Sequence, residues 1–162
     1  MAEIKVEGLR ELNNLLTELP RRISVQVLRR ALMDGAKPIV GSARSLAPVL
    51  KSPDPRRTPG LLKAKIRARP VRDPEHTATV VIDVPKLTPK QIARFKKKHG
   101  KSGAKNPRDA FYWLWQELGT SKMPAHSYLR PAFEAKKLEA VDVTRQRLTE
   151  RIAIEAEKLR RK

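Results

Sequence analysis

The chain has 162 residues, a length that suits one domain with a single core. It contains no cysteine, which excludes disulfides, thiolate metal sites and cysteine nucleophiles. Lysine and arginine number 36 against 17 acidic residues, and the resulting net charge of +19 makes nucleic acid, an acidic protein surface or an anionic membrane the candidate partners.

The charge is concentrated in the middle of the chain. Residues 51–107 hold 16 lysines and arginines against 4 acidic residues. No apolar run approaches the roughly 20 residues of a membrane span, and the first residues lack the basic-then-apolar order of a signal peptide. We therefore expect a protein that is made and assembled inside a cell. Seven aromatic residues predict a thin core that relies on partner subunits.

The N-terminal third predicts a strand followed by two helices. Alternation over Glu3–Glu7 is typical of a half-buried strand, and the leucine spacing over Leu9–Leu19 predicts a short helix. An apolar stripe predicts a long helix over residues 21–47, kinked at Pro38 and ended at Pro48. The stripe consists of Ile23, Val27, Ala31, Leu32, Ala36, Ile39, Ala43 and Leu46.

The next segments predict a loop and a hairpin. Residues 48–60 are rich in proline and predict a loop. Leu61–Val71 predicts a helical turn that leads into a basic strand. The β-branched residues of His76–Val84 predict its antiparallel partner, reached through the turn Asp73-Pro74-Glu75.

A short basic helix is predicted next, with Thr88 as its cap and Pro89 at its first position. Lys96–Lys105 predicts a mobile loop rich in glycine, serine and lysine. Asp109–Leu118 fits a strand or a helix, and its aromatic residues favour a strand.

The C-terminal part predicts a loop over Gly119–Tyr128 and then a long helix opened by Pro131, with Phe133 pinning the helix to the sheet. The narrow apolar stripe of this helix contains Leu138, Val141, Leu148, Ile152, Ala156 and Leu159. We therefore predict an α+β fold in one domain, residues 1–162. A small, mostly antiparallel sheet packs with a long kinked N-terminal helix and a long C-terminal helix.

The sequence offers no constellation for catalysis. No two of His76, His99 and His126 have the i, i+4 spacing that places two metal ligands on one helix face. Gly100-Lys101-Ser102 lacks the earlier glycine of a phosphate loop, and the carboxylates are dispersed. We therefore predict no enzymatic activity, no cofactor and no metal.

The densest basic cluster predicts contact with DNA phosphates or with an acidic partner, although a solubilising surface fits the charges equally well. Its members are Lys90, Arg94, Lys96, Lys97, Lys98, Lys101 and Lys105.

Two segments together resemble the tail-completion, or neck, proteins of long-tailed double-stranded-DNA bacteriophages. The first is Ala47-Pro48-Val49, followed by Thr58–Ile66. The second is Phe111–Phe133, in which Glu-Leu-Gly-Thr precedes Pro-Ala and then Leu-Arg-Pro-Ala. In that family the aromatic part of the second segment is a strand. The matching positions are Pro48, Gly60, Leu61, Glu117, Gly119, Thr120, Pro124, Ala125, Leu129, Arg130, Pro131 and Ala132.

The sequence departs from the family pattern at Leu118, at Ser127-Tyr128 and in the proline-rich insertion before Thr58. The resemblance implies a non-enzymatic virion protein that completes the tail and joins it to the DNA-filled head. It implies a ring with sixfold-related symmetry between the head connector and the tail-terminator or tail-tube proteins, with possible non-specific contact with packaged DNA. The motif residues would then serve the fold.

Two alternatives stay open from the sequence. A nucleic-acid-binding protein outside the virion fits the charge, but no helix-turn-helix, zinc or RNA-recognition pattern is present. A toxin or nuclease carried by a prophage would need an acidic or histidine constellation that the sequence does not offer.

Overall fold

The structure is a computed structural model, and it describes residues 13–14, 16–17, 19–50, 58–71, 78–100 and 106–161. The predicted strand at Glu3–Glu7 and the predicted turn Asp73-Pro74-Glu75 lie outside these residues. So does most of the predicted helix Leu9–Leu19, of which residues 13–14 and 16–17 are helical.

The described residues form five helices and a two-stranded antiparallel sheet, so the predicted α+β fold is confirmed. The elements in chain order are α1 (Arg21–Leu46), α2 (Leu61–Lys65), β1 (Arg67–Val71), β2 (Thr79–Asp83), α3 (Pro89–His99), α4 (Trp113–Leu118) and α5 (Leu129–Arg160). Helix α1 runs through Pro38 without ending there, and the kink expected at that residue stays a prediction.

The chain divides into two compact units, and both long helices contribute to each of them. The first unit gathers the described residues within Met1–Lys37, Arg69–Val81 and Leu138–Lys162. The second gathers those within Pro38–Ala68 and Ile82–Lys137. Each unit has its own buried cluster.

The first unit is built on close contact between α1 and α5. Its cluster contains Leu19, Val27, Ala31, Leu148 and Ile152. Gly35 lies where the two helices approach most tightly, because a Cβ there would come within 1.9 Å of the Thr144 hydroxyl and 2.7 Å of the Ala140 carbonyl oxygen. The missing side chain at Gly35 therefore allows the helices to meet.

An ion pair supports the same contact. Asp34 of α1 accepts a hydrogen bond from the Arg151 guanidinium of α5 at 2.7 Å and lies 2.6 Å from the Lys37 ammonium. The Asp34 side chain is only 15% exposed. Hydrogen bonds from Lys37 and Arg151 hold the pKa of the Asp34 carboxyl below its ordinary value, although burial opposes them.

The second unit has a cluster of nine buried residues, of which Tyr128, Leu62 and Ile66 are the largest fully buried side chains. The other members are Val40, Ala43, Ala47, Val84, Ala110 and Ala132. Arg44 ties α1 to the start of β1, because its guanidinium donates two hydrogen bonds, of 3.1 and 2.8 Å, to the Ile66 carbonyl oxygen.

The preference for a strand over Asp109–Leu118 was wrong. Residues 113–118 form α4 and residues 111–112 form a turn before it. In this conformation Phe111 and Trp115, four residues apart, meet edge to face with ring centroids 5.3 Å apart. Packing against the core outweighs the β-propensity of these aromatic side chains, since Tyr112 and Trp113 both contact the second cluster.

The predicted loop over Lys96–Lys105 was wrong in its first part. Helix α3 continues through His99 and ends at Gly100, which has a left-handed φ of 61° and donates its N–H to the Lys96 carbonyl oxygen at 2.9 Å. Lysine is a good helix former, so the run of lysines extends the helix until glycine ends it. Residues 101–105 lie outside the described residues.

We expect Gly35→Ala and Gly41→Ala to change stability in opposite directions. A methyl group at Gly35 overlaps Thr144 and the backbone of Ala140, so the free energy of unfolding should fall by about 1–3 kcal/mol. Gly41 lies on the same helix, and nothing lies within 4 Å of a Cβ added there. Alanine at this position should therefore raise the free energy of unfolding by about 0.5–1 kcal/mol. Denaturant unfolding checks both variants, and equal shifts of the same sign would contradict the close helix contact.

Asp34→Asn tests the ion pair and has a defined pH dependence. We expect the variant to lose about 1–2 kcal/mol at neutral pH, between the values for surface and fully buried pairs. Because the folded-state pKa of Asp34 is lowered, its contribution is complete above the ordinary pKa of 3.8 and is lost as pH falls through the lower folded value. Unfolding at several pH values should show the two proteins converging in acid. A constant difference down to that range would contradict this account.

Motif junction and candidate interaction surfaces

The motif residue Glu117 holds the beginning of α5. Its Oε2 accepts hydrogen bonds from the backbone N–H groups of Tyr128 at 2.8 Å and Leu129 at 2.9 Å, and its Oε1 accepts one from Arg130 at 3.1 Å. Glu117 is buried, with 8% of its surface exposed. The first N–H groups of a helix have no partner within the helix and carry partial positive charge, so a carboxylate there is doubly favourable.

Pro131 completes the same arrangement. The structure starts α5 at Leu129, two residues before the start predicted at Pro131. Proline has no N–H, and the first backbone bond within the helix runs from the Ala132 N–H to the Tyr128 carbonyl oxygen at 3.3 Å. Glu117 and Pro131 together therefore leave none of the first N–H groups of α5 without a partner.

The turn between α4 and α5 requires glycine at position 119. Gly119 has a φ of 75°, and a Cβ there would lie 2.8 Å from the Ala125 nitrogen and 3.0 Å from the Met123 oxygen. A larger residue would therefore clash at this position, where the chain leaves a helix and not the strand that the resemblance implies. Two further hydrogen bonds close the turn. The His126 N–H donates to the Gln116 carbonyl oxygen at 2.8 Å, and the Ser127 hydroxyl donates to the Glu117 carbonyl oxygen at 2.6 Å.

The two segments that carry the resemblance meet in the second cluster. Ala47, Leu62 and Ile66 come from the first segment, and Tyr128 and Ala132 come from the second. Leu61 and Leu129 pack against the same cluster, and the Thr58 hydroxyl donates to the Pro107 carbonyl oxygen at 3.0 Å. We call this arrangement, with the Glu117 bonds, the motif junction.

The other motif positions lie around this junction. Gly60 precedes α2 with a φ of 70°, and Pro48 follows α1 and is half-buried. Thr120 pairs with Met123 in an isolated bridge, while Pro124, Ala125 and Arg130 are exposed. The prediction that Phe133 pins α5 to the sheet was wrong: Phe133 is 50% exposed, and its neighbour Ala132 is the fully buried residue.

The basic cluster begins on a helix that is fixed at both ends. At the start of α3 the Thr88 hydroxyl accepts the Gln91 N–H at 3.3 Å, and the Gln91 side chain accepts the Thr88 N–H at 2.9 Å, as Thr88 and Pro89 predict. At the other end, the left-handed Gly100 ends the helix. The described basic residues of the cluster are all exposed: Lys90, Arg94, Lys96, Lys97 and Lys98. Lys101 and Lys105 lie outside the described residues.

Helix α4 carries an exposed apolar face that the sequence analysis missed. Leu114, Trp115 and Leu118 are 44%, 48% and 62% exposed, and at about 100° per residue they lie on one side of the helix. Glu117 lies on the other side, facing α5. The spacing i, i+1, i+4 would have identified this face had the segment been predicted as a helix.

No group in the described residues has the features of a reaction centre. His126 is exposed, and His99 stacks on Phe95 with ring centroids 4.7 Å apart; His76 lies outside the described residues. No cluster of three or more acidic or histidine side chains that could hold a metal occurs in that part of the chain. Burial raises the pKa of the Tyr128 phenol, and the nearby Glu117 raises it further, so this hydroxyl stays neutral.

None of the described helices combines the length and the apolarity that crossing a membrane requires. No family model, curated protein or solved structure matches the chain.

Glu117→Gln tests the motif junction. The glutamine amide keeps the shape of the side chain but loses the negative charge. Its NH₂ group replaces one carboxylate oxygen and so places a donor opposite a backbone N–H donor. We expect the free energy of unfolding to fall by about 1–3 kcal/mol. The matched control is Glu134→Gln on α5, where the carboxylate forms an exposed pair with Lys137 and the loss should stay below about 0.5 kcal/mol. Similar losses in both variants, measured by thermal unfolding, would contradict a special role for Glu117.

Proposed function

We propose that this protein is a non-enzymatic structural subunit of a bacteriophage neck, which completes the tail and joins it to the DNA-filled head as part of a ring. The proposal rests on the resemblance of two segments to the neck proteins. It is supported by the way these segments, separated in the sequence by residues 67–110, meet in one junction. Motif residues such as Glu117 and Gly119 have a role in the fold and none in chemistry, which agrees with an assembly subunit.

The exposed surface of the second unit agrees with an assembly role. Large apolar side chains grouped on one face of a monomer mark interaction sites. The proposal places a neighbouring subunit of the ring over the α4 face formed by Leu114, Trp115 and Leu118. The small buried side chains of both clusters, several of them alanine, leave little apolar surface inside the monomer and make burial between subunits valuable.

Electron microscopy of particles from the source phage with this gene deleted tests the proposal. We expect DNA-filled heads beside unattached tails, and restoration of joined particles when the wild-type gene is supplied in trans. Normal infectious virions from the deletion would contradict the neck role and favour a nucleic-acid-binding protein outside the virion.

A second complementation experiment separates assembly from folding. Trp115→Gln with Leu118→Gln removes apolar surface from the exposed face of α4, and Lys122→Gln is the matched control on the following turn. We expect the double variant to melt within a few degrees of wild type and to restore at least about tenfold fewer joined particles, because interface cores depend on aromatic and aliphatic anchors. Full restoration by the double variant would contradict the placement of a neighbour over this face.

A further inference from the structure

We infer that α3 binds duplex DNA through its phosphates, with four of its five basic residues forming the contact face. This inference goes beyond the neck assignment and does not depend on it. At about 100° per residue, Lys90, Arg94, Lys97 and Lys98 fall within an arc of about 100° on one side of the helix. We call these four residues the cationic face.

The opposite side of α3 is less exposed than this face. Ile92 and Phe95 are half-buried there, and the His99 ring stacks on Phe95. Lys96 lies about 40° from Ile92 and about 100° from Lys97 around the helix, so it does not belong to the cationic face. All four residues of the cationic face are exposed, so the face is open to solvent.

The cationic face is not neutralised within the described part of the chain. Helix α3 contains no acidic residue, and none of the four side chains forms an ion pair with a described residue. The charges extend over about 12 Å along the helix axis, from Lys90 to Lys98. Duplex DNA presents one phosphate charge per roughly 1.7 Å of its axis, so several phosphates can be reached at once.

The composition of the face favours DNA over the other polyanions. The core of a protein interface is depleted in lysine and enriched in aromatic residues, whereas this face has no apolar side chain. A membrane-bound helix inserts its apolar side into lipid, whereas Ile92 and Phe95, the apolar side chains of α3, are already half-buried. Lysine contacts phosphate as a point charge, so the predicted binding is independent of base sequence.

The capped ends of α3 make the contact possible without folding on binding. The capping box at Thr88 and the left-handed Gly100 hold the helix in the free protein, so the spacing of the four charges is set before DNA arrives. A preorganised charged helix avoids the ordering cost that a loop of lysines would incur on binding.

The test measures binding of the full-length protein to short mixed-sequence duplex DNA by fluorescence anisotropy, between about 50 and 200 mM salt. The variant changes Lys90, Arg94, Lys97 and Lys98 to glutamine, which preserves helix propensity. Four phosphate contacts contribute about 3.6 to the slope of log affinity against log salt, so the slope of the variant should be shallower by about that amount. Affinity at the lowest salt should fall by at least about tenfold.

The matched control changes four exposed basic residues elsewhere in the same unit to glutamine and lowers the net charge equally. These residues are Lys63, Lys86, Arg108 and Lys122. We expect the control to keep most of the wild-type slope, and circular dichroism should show both variants folded. An equal loss in both variants would overturn the assignment, because binding would then follow net charge alone. Stronger competition by polyglutamate than by unlabelled DNA would also overturn it, in favour of an acidic protein partner.

Discussion

The carboxylate of Glu117 at the start of α5 is the interaction on which the second unit depends. Three backbone N–H groups converge on its two oxygens, and Pro131 removes the next N–H that would need a partner. The helix can therefore begin against the core with its first backbone N–H groups satisfied, beside the fully buried Tyr128 and Ala132. Without this arrangement, the first N–H groups of this 32-residue helix would have no partner within the protein.

Close approach between helices is the second constraint, and it follows from the small side chains of the chain. Gly35 lets α1 reach Thr144 and Ala140 of α5, and alanines occupy fully buried positions in both clusters. Small residues bury little apolar area each, so stability relies on exact geometry, on capping and on pairs such as Asp34 with Arg151. A fold of this kind gains much from further burial when it assembles, which agrees with the proposed role in a ring.

The local patterns of the sequence predicted those parts of the fold that are decided locally. The apolar stripe predicted α1, the β-branched run predicted β2, and Thr88 with Pro89 predicted the start of α3. The prediction of a strand over the aromatic segment failed because contacts outside the segment decide its conformation. Among them are the hydrogen bonds that Glu117 accepts from Tyr128 and Leu129. The prediction of a loop over Lys96–His99 failed because a run of lysines was interpreted as a loop. The helix in fact continues through these residues and ends at Gly100.

The candidate surfaces were predictable to different degrees. The basic cluster was visible in the sequence. Its division into a cationic face and the separate Lys96 could be made only once the structure showed that α3 continues through His99 and that Ile92 and Phe95 are its half-buried side chains. The motif residues were recognised, yet the role of Glu117 was not, because its partners lie eleven to thirteen residues away across a turn that Gly119 makes possible. The exposed face of α4 was missed together with the helix itself.

Amide hydrogen exchange at the beginning of α5 tests the central claim, that the motif acts by capping this helix, most directly. The first N–H groups of a helix ordinarily exchange quickly because nothing within the helix protects them. We predict slow exchange at Tyr128, Leu129 and Arg130 in the wild-type protein and fast exchange at the same three amides in Glu117→Ala, with α1 still protected. Fast exchange at all three amides in the wild-type protein would contradict the account.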